Sequence, residues 1–262
     1  MLSTPCFHVD AFTDAPFRGN AAAVCLLAAP RPKNWMQQVA AELALSETAF
    51  VAPAAGGFTL RWFTPKCEVA LCGHATLATA HVLWQEGIAP GGAELRFRTK
   101  SGLLTARRRG AAIDLDFPAR PAREQRPPAG LAKALGAAPK RVLAAADDLL
   151  VELASEKVVR ALSPDQAALA KVKVRGVIVT ARGSRHDFVS RFFAPAVGVP
   201  EDPVTGSAHC ALAPYWAERL GKARLVGYQA SSRGGVVECE VVGERVLLRG
   251  SAVTVLRGQL AV

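Results

Sequence analysis

The stretch at residues 191–216, RFFAPAVGVPEDPVTGSAHCALAPYW, has a near-copy earlier in the same chain, at residues 61–84, RWFTPKCEVALCGHATLATAHVLW. Each begins with strand-like residues, passes through Pro and Gly punctuation, and enters an apolar segment rich in small residues. Arg61-Trp62-Phe63-Thr64-Pro65 matches Arg191-Phe192-Phe193-Ala194-Pro195, and Gly73-His74-Ala75 matches Gly206-Ser207-Ala208. A helix that is apolar on every side must be buried, so each copy predicts a helix through the middle of its own half. Pro214 predicts a kink in the second one. The first N–H groups of both helices have no partner within the helix, and they attract an anion.

The duplication extends beyond the motif. Asn34 and Pro164 are 130 positions apart, as are Arg61 and Arg191, and the order of elements between them is the same. In the first half, residues 7–12, 22–27, 46–52 and 58–63 read as strands. Asn34 is expected to cap a helix running to Leu45 with Trp35, Val39 and Leu43 inward. In the second half, Ser163-Pro164-Asp165 reads as a helix opening, and residues 149–153, 174–181 and 187–193 as strands. The polar, proline-rich segment PARPAREQRPP at residues 118–128 reads as a linker. The expected organisation is a first half at residues 1–117, a second at 118–250, and a strand at 251–262 returning to the first. The predicted class is α+β: two pseudo-symmetric halves, each a mostly antiparallel sheet or barrel rolled around a buried helix, with an active site between them.

A net charge of +10 raises the possibility of nucleic acid. The basic residues are scattered, however, and the densest run, Arg107-Arg108-Arg109, precedes Gly110 in what reads as a hairpin turn. Aromatic residues make up only 6% of the chain and are not interleaved with the basic ones, so no stacking platform is expected. A small anionic substrate accounts for the charge equally well. No apolar run is long enough for a membrane span. The opening MLSTPCFHVDAF has neither a basic nor an apolar signal region, and the six cysteines form no CxxC pair. Those features predict reduced thiols and a cytoplasmic location. There is no Walker A loop, no GxGxxG after a strand and no HExxH. Cys67, Cys72 and His74 are too loosely spaced to argue for zinc, so the chemistry is expected to need neither metal nor cofactor.

In a duplicated scaffold the differences between the halves are informative. Glu47 is expected on an apolar strand face with Leu45, Ala49 and Val51, opposite Val177 in the other half. A carboxylate there suits proton transfer better than mere contact with solvent. Asp202 corresponds approximately to Val69; as a residue before a helix it reads equally as a cap or as a substrate contact. His74 and Ser207 occupy equivalent helix starts, where a histidine serves as a ligand or proton relay. Ser207 lies in no GxSxG elbow, so it does not read as a hydrolase nucleophile. Cys72 is placed to be a thiolate at a helix start, but its equivalent is Thr205, and a buried inert thiol accounts for it more simply. His8, His81, His186 and His209 read as structural.

Phe7-His8-Val9-Asp10-Ala11-Phe12, Gly19-Asn20, Leu45-Ser46-Glu47-Thr48, Cys72-Gly73-His74-Ala75-Thr76 and Glu201-Asp202-Pro203-Val204-Thr205-Gly206-Ser207-Ala208 together resemble the PhzF-like family of phenazine-biosynthesis isomerases, within the diaminopimelate epimerase superfamily. The resemblance implies two α+β halves, each a sheet rolled around a central helix, and often a homodimer. It implies that Glu47 is the acid/base of a proton-transfer isomerisation, assisted by His74 and Asp202. Gly73, Gly206, Ser207, Asn20 and Cys72 would then surround a small carboxylate-bearing substrate. Superfamily epimerases place a cysteine at each helix start, whereas this chain has only Cys72. An amino-acid racemase or epimerase, or a small-molecule-binding protein on the same scaffold, are the competing readings. A nucleic-acid binder would be recognised by affinity that falls with salt.

Overall fold

A computed structural model describes residues 3–262. The chain divides into two compact units, one running to Asp116 and taking in Arg249–Val262, the other comprising Phe117–Leu248.

The first unit contains β1 (Thr4–Ala11), β2 (Asn20–Leu26), α1 (Lys33–Leu43), β3 (Glu47–Ala54), β4 (Gly57–Phe63), β5 (Glu68–Val69), α2 (Gly73–Gln85), β6 (Leu95–Thr99), β7 (Gly102–Arg109) and β8 (Ala112–Pro118). The second contains β9 (Arg123–Glu124), α3 (Leu131–Leu135), β10 (Arg141–Ala145), β11 (Asp148–Glu152), α4 (Glu156–Ala161), α5 (Gln166–Leu169), β12 (Gly176–Arg182), β13 (Phe188–Ala194), β14 (Val199–Asp202), α6 (Gly206–Leu220), β15 (Arg224–Gln229), β16 (Gly235–Val242) and β17 (Arg245–Gly250). The last strand, β18 (Ala252–Leu260), pairs antiparallel with β1 in the first unit.

The two units repeat one topology. In the first, β2 and β3 are parallel, joined through α1, and β4 and β6 are parallel, joined through α2. In the second, β11 and β12 are parallel, joined through α4 and α5, and β13 and β15 are parallel, joined through α6. The pairs β3–β4, β4–β5, β12–β13 and β13–β14 are antiparallel. Each large helix is therefore a crossover, the kind of connection that parallel strands require. It packs against the face of its own sheet, α2 on β1, β2, β3 and β18, and α6 on β15 and β16.

Burial follows from composition. In α2 every residue from His74 to Ala80 is buried, with Val82, Leu83 and Trp84; in α6 the buried run is Ala208–Ala213, with Gly206, Tyr215 and Trp216. Buried hydroxyls in α2 return to the preceding turn: Thr76 Oγ1 donates to the Cys72 carbonyl at 2.5 Å and Thr79 Oγ1 to that of Ala75 at 2.7 Å. Pro214 lies inside α6 and cannot donate to the Cys210 carbonyl, and the Arg120 backbone N–H takes that carbonyl instead at 2.9 Å. The predicted linker is thus tied to the second unit at Arg120, and again where β9 pairs with β10.

On the outer face of each sheet sit the smaller helices. Met36, Val39 and Ala40 of α1 pack with Ala23, Cys25, Phe50, Ala52 and Phe63, while Leu131, Val159 and Leu169 from α3–α5 pack with Val151, Val177 and Val179. Two sequence expectations fail here. Helix α1 is preceded by Pro32, which holds an extended backbone, so Asn34 lies within the helix and caps nothing, although Trp35, Val39 and Leu43 do pack inward as expected. The cap predicted at Ser163 falls two residues later, at Asp165, whose side chain accepts the Ala168 N–H at 3.0 Å. Among the described residues no helix is long and apolar enough to cross a membrane.

Strand register also revises the matching of the halves. Thr48 pairs with Phe63 and Val177 with Phe193. Since Phe63 corresponds to Phe193, Thr48 corresponds to Val177, and Glu47 to Gly176 rather than to Val177. The strand itself begins at Glu47, so Leu45 is outside its alternation and packs with the α1 cluster. The match of Asp202 to Val69 stands, because Phe192 pairs with Asp202 as Trp62 does with Val69.

Candidate active site

In the first unit, β3 delivers Glu47 and α2 delivers His74 from its first turn. Glu47 opens β3 beside Ala22 of β2, and its side chain is about one-fifth exposed. His74 is buried, as are Cys72 and Asn20. The His74 Nε2 lies 3.2 Å from Glu47 Oε2. This is an ion-pair approach rather than an aligned hydrogen bond, since no acceptor among the described residues meets Nε2 in hydrogen-bond geometry. On the other side of the ring, Nδ1 lies 3.2 Å from Asn20 Nδ2 and 3.5 Å from Cys72 Sγ. An amide can turn either its NH₂ or its carbonyl to Nδ1, so Asn20 supports the ring in either protonation state.

Burial alone would push the His74 pKa down, but Cys72 and Glu47 outweigh it and hold the imidazole well above its ordinary value. Burial, and then the Glu47 charge, push the Cys72 thiol up to about 11. Cys72 and Glu47 thus both favour a proton on His74, while burial and the Glu47 charge together disfavour the Cys72 thiolate. Gly73 and His74 open α2, where no acidic side chain occupies the first turn. Their N–H groups belong to the set that a helix leaves without internal partners. One atom each from Glu47, Cys72 and His74 lies within 4.8 Å of the others, near enough for a single metal ion to touch all three. That trio is not the one considered from sequence, because Cys67 is exposed and away from it.

In the second unit the start of α6 is built differently. Thr205 is the N-cap residue, and its Oγ1 donates to Asp202 Oδ2 at 2.6 Å. Gln229, fully buried, accepts the Thr205 N–H at 2.9 Å and donates to the Asp202 carbonyl at 2.7 Å. Asp202 is consequently latched to the helix start without capping it. Ser207 Oγ accepts from Arg175 Nη2 at 3.1 Å, and Arg175 is in turn gripped by Asp148. Gly206 is buried beside them.

The structure thus brings Glu47, His74, Cys72, Asn20 and Gly73 together in one unit, and Asp202, Gly206 and Ser207 together in the other. The second group has companions that sequence reading missed: Arg175, Asp148 and Gln229. A constant offset of 130 puts Arg175 opposite Leu45, whereas strand pairing puts it opposite Ser46, next to Glu47. Remaining histidines have plain structural settings: His81 Nε2 meets Thr254 Oγ1 at 3.1 Å, and His186 stacks on Tyr228 with centroids 5.2 Å apart. His209 lies in α6 with Nδ1 2.8 Å from the Thr205 carbonyl, and burial lowers its pKa to about 4.

Comparison with known proteins agrees with this architecture. The profile described as phenazine biosynthesis-like protein matches residues 9–258. A relative from Halalkalibacterium halodurans named as an uncharacterized isomerase is 50% identical, over 99% of each chain. A crystal structure of a phenazine biosynthesis protein of the PhzF family from Enterococcus faecalis superposes with a TM-score of 0.96 at 41% identity, covering 100% of both chains. A hydroxyproline epimerase from Agrobacterium vitis shares the fold alone, at a TM-score of 0.65 and 11% identity over 98% of this chain and 92% of that one. The repeated βαβ halves, the two buried helices and the near full-length match place this chain in the PhzF family of phenazine biosynthesis-like proteins.

Proposed function

We propose that the protein is an isomerase that moves a proton between carbon atoms of a small carboxylate-bearing substrate, with Glu47 as the acid/base. The observation that carries this reading is the mostly buried Glu47 carboxylate held 3.2 Å from the buried His74 at the start of α2. The isomerase name of the Halalkalibacterium halodurans relative points the same way. Glu47 takes a proton from an acidic C–H and returns it to another carbon, so no proton is gained or lost overall. Negative charge develops on the substrate meanwhile. A protonated His74 and the N–H groups opening α2 oppose that charge, in a setting fixed before the reaction begins. Asp202 and Ser207, at the start of α6, act in this account as substrate contacts.

A two-thiol racemase has less support. Burial and then the Glu47 charge push the Cys72 thiol up to about 11, Thr205 stands at the equivalent position, and burial lifts the Cys210 thiol of α6 to about 12. No side chain among those thiols is poised as a second base near neutral pH.

The test is proton exchange in deuterated water across a panel of small carboxylates bearing an acidic C–H, followed by NMR. Deuterium entering one compound at a carbon-bound position supports the isomerase and names its substrate class. A panel that stays unlabelled would leave a binding protein as the better reading.

A further inference from the structure

Four arginines in or beside the two halves could look alike in sequence, but their settings differ. Arg61 and Arg191, equivalent residues of β4 and β13, grip Glu68 and Glu201 through Nε and Nη2, at 2.7 and 3.0 Å and at 2.7 and 2.8 Å. Arg191 also spends Nη1 on the Leu162 carbonyl at 2.7 Å, and its side chain is 12% exposed. It is a structural clamp. Arg249 pairs with Asp114 through Nε and Nη2.

Arg175 is held as firmly but is not used up. Its Nε donates to Asp148 Oδ1 at 2.9 Å, and Nη2 reaches both Asp148 Oδ2 and Ser207 Oγ. The guanidinium lies over the Phe192 ring, 5.4 Å from its centroid. Gly176 makes room for that ring, since a Cβ there would come within 2.3 Å of Phe192 Cζ. A guanidinium has five N–H donors, and these contacts engage three. Both N–H groups of Nη1 have no partner among the described residues, and the side chain is 37% exposed. Asp148, by contrast, is almost completely buried. Burial pushes the Asp148 carboxyl up while Arg175 works against that rise. Burying a carboxylate to hold one half-exposed arginine in a single orientation costs stability, which suits pre-organisation for a ligand better than packing.

We propose that Arg175 is a substrate-recognition residue whose free Nη1 edge, beside Ser207 at the start of α6, takes a carboxylate group of the substrate. The guanidinium fork matches a planar oxyanion, and its orientation is fixed in advance by Asp148, Phe192 and Ser207. The position is the one where the halves diverge: Glu47 corresponds to Gly176, and the cation comes from the residue just before it. One unit thus presents a carboxylate to its helix start and the other a guanidinium. The inference rests on the isomerase reading for the word substrate, but not for the binding of a carboxylate.

The experiment titrates malonate, succinate, benzoate and inorganic phosphate into the protein by calorimetry. It compares wild type, Arg175→Lys, Arg175→Gln and the double variant Asp148→Asn/Arg175→Gln, which leaves no buried carboxylate unpaired. At least one carboxylate should bind wild type, and both Gln-containing variants should weaken it roughly ten- to a hundredfold, the loss expected for a charged hydrogen-bonded contact. Arg175→Lys should fall between, because it keeps the charge and loses the fork. With a turnover substrate in hand, Arg175→Gln should raise KM more than it lowers kcat. Unchanged affinity in both Gln-containing variants, or binding of phosphate with no carboxylate bound, or no oxyanion bound at all, would overturn the proposal. Glu47→Gln, assayed in parallel, separates the two ideas. Loss of exchange there with normal carboxylate binding by Arg175→Gln sinks Arg175 alone; Arg175-dependent binding with no exchange by wild type sinks the isomerase alone.

Discussion

His74 Nε2 sits 3.2 Å from Glu47 Oε2, and the imidazole is buried while the carboxylate is partly open. Burial pushes the His74 pKa down, and Cys72 and Glu47 both push it up. In Glu47→Gln the His74 pKa should therefore fall, read from its ring proton shifts in an NMR titration. The linkage has a definite sign. A folded pKa above the unfolded value stabilises fully below about pH 6.5, and that contribution fades as pH rises through the folded pKa. The stability gap between wild type and Glu47→Gln should accordingly narrow toward alkaline pH; an unchanged His74 pKa in the variant would contradict the pairing.

His209 titrates in the opposite sense. Its pKa is lowered to about 4 by burial, so the unfolded chain takes up the proton first. Stability should fall as pH drops from about 6.5 to about 4, by about 3 kcal/mol in all. His209→Gln should lack that component, so denaturant unfolding of the two proteins across this range should show differing slopes with pH. Parallel slopes would mean that His209 is not held neutral.

Gly176→Ala should destabilise by about 1–3 kcal/mol, as expected when a methyl is forced into an occupied space. The new Cβ would meet Phe192 Cζ at 2.3 Å, and the ring it displaces supports Arg175. Urea unfolding measures the cost, and a variant as stable as wild type would show that the ring moves freely.

Gln229→Leu should cost about 3 kcal/mol in the same assay, because it leaves the buried Thr205 N–H without its acceptor and releases the Asp202 carbonyl. A loss below about 1 kcal/mol would mean that other groups hold the start of α6.

Much of this arrangement was legible in the chain. The two central helices announced themselves because neither has a polar face, and the strands leading into them because Arg61–Phe63 and Arg191–Phe193 repeat. Glu47 and His74 were visible as departures from a duplicated pattern. What was not legible depends on contacts across strands. Counting along the chain sets Glu47 against Val177, but register is set by pairing, Thr48 with Phe63 and Val177 with Phe193, and sets it against Gly176. Arg175 fell out of view for the same reason. Gln229 gives no local signal, since its role exists only once β15 meets the start of α6. Ser163-Pro164 offers the same cap chemistry two residues before the observed cap at Asp165.

The most direct test of the central claim is the rate of solvent deuterium exchange into the identified substrate by wild type and by Glu47→Gln, with substrate binding measured on both. Loss of a general acid/base should slow exchange by roughly 10²- to 10⁴-fold while leaving affinity within a few-fold. Exchange by Glu47→Gln at close to the wild-type rate would contradict the account and move the proton transfer to another group.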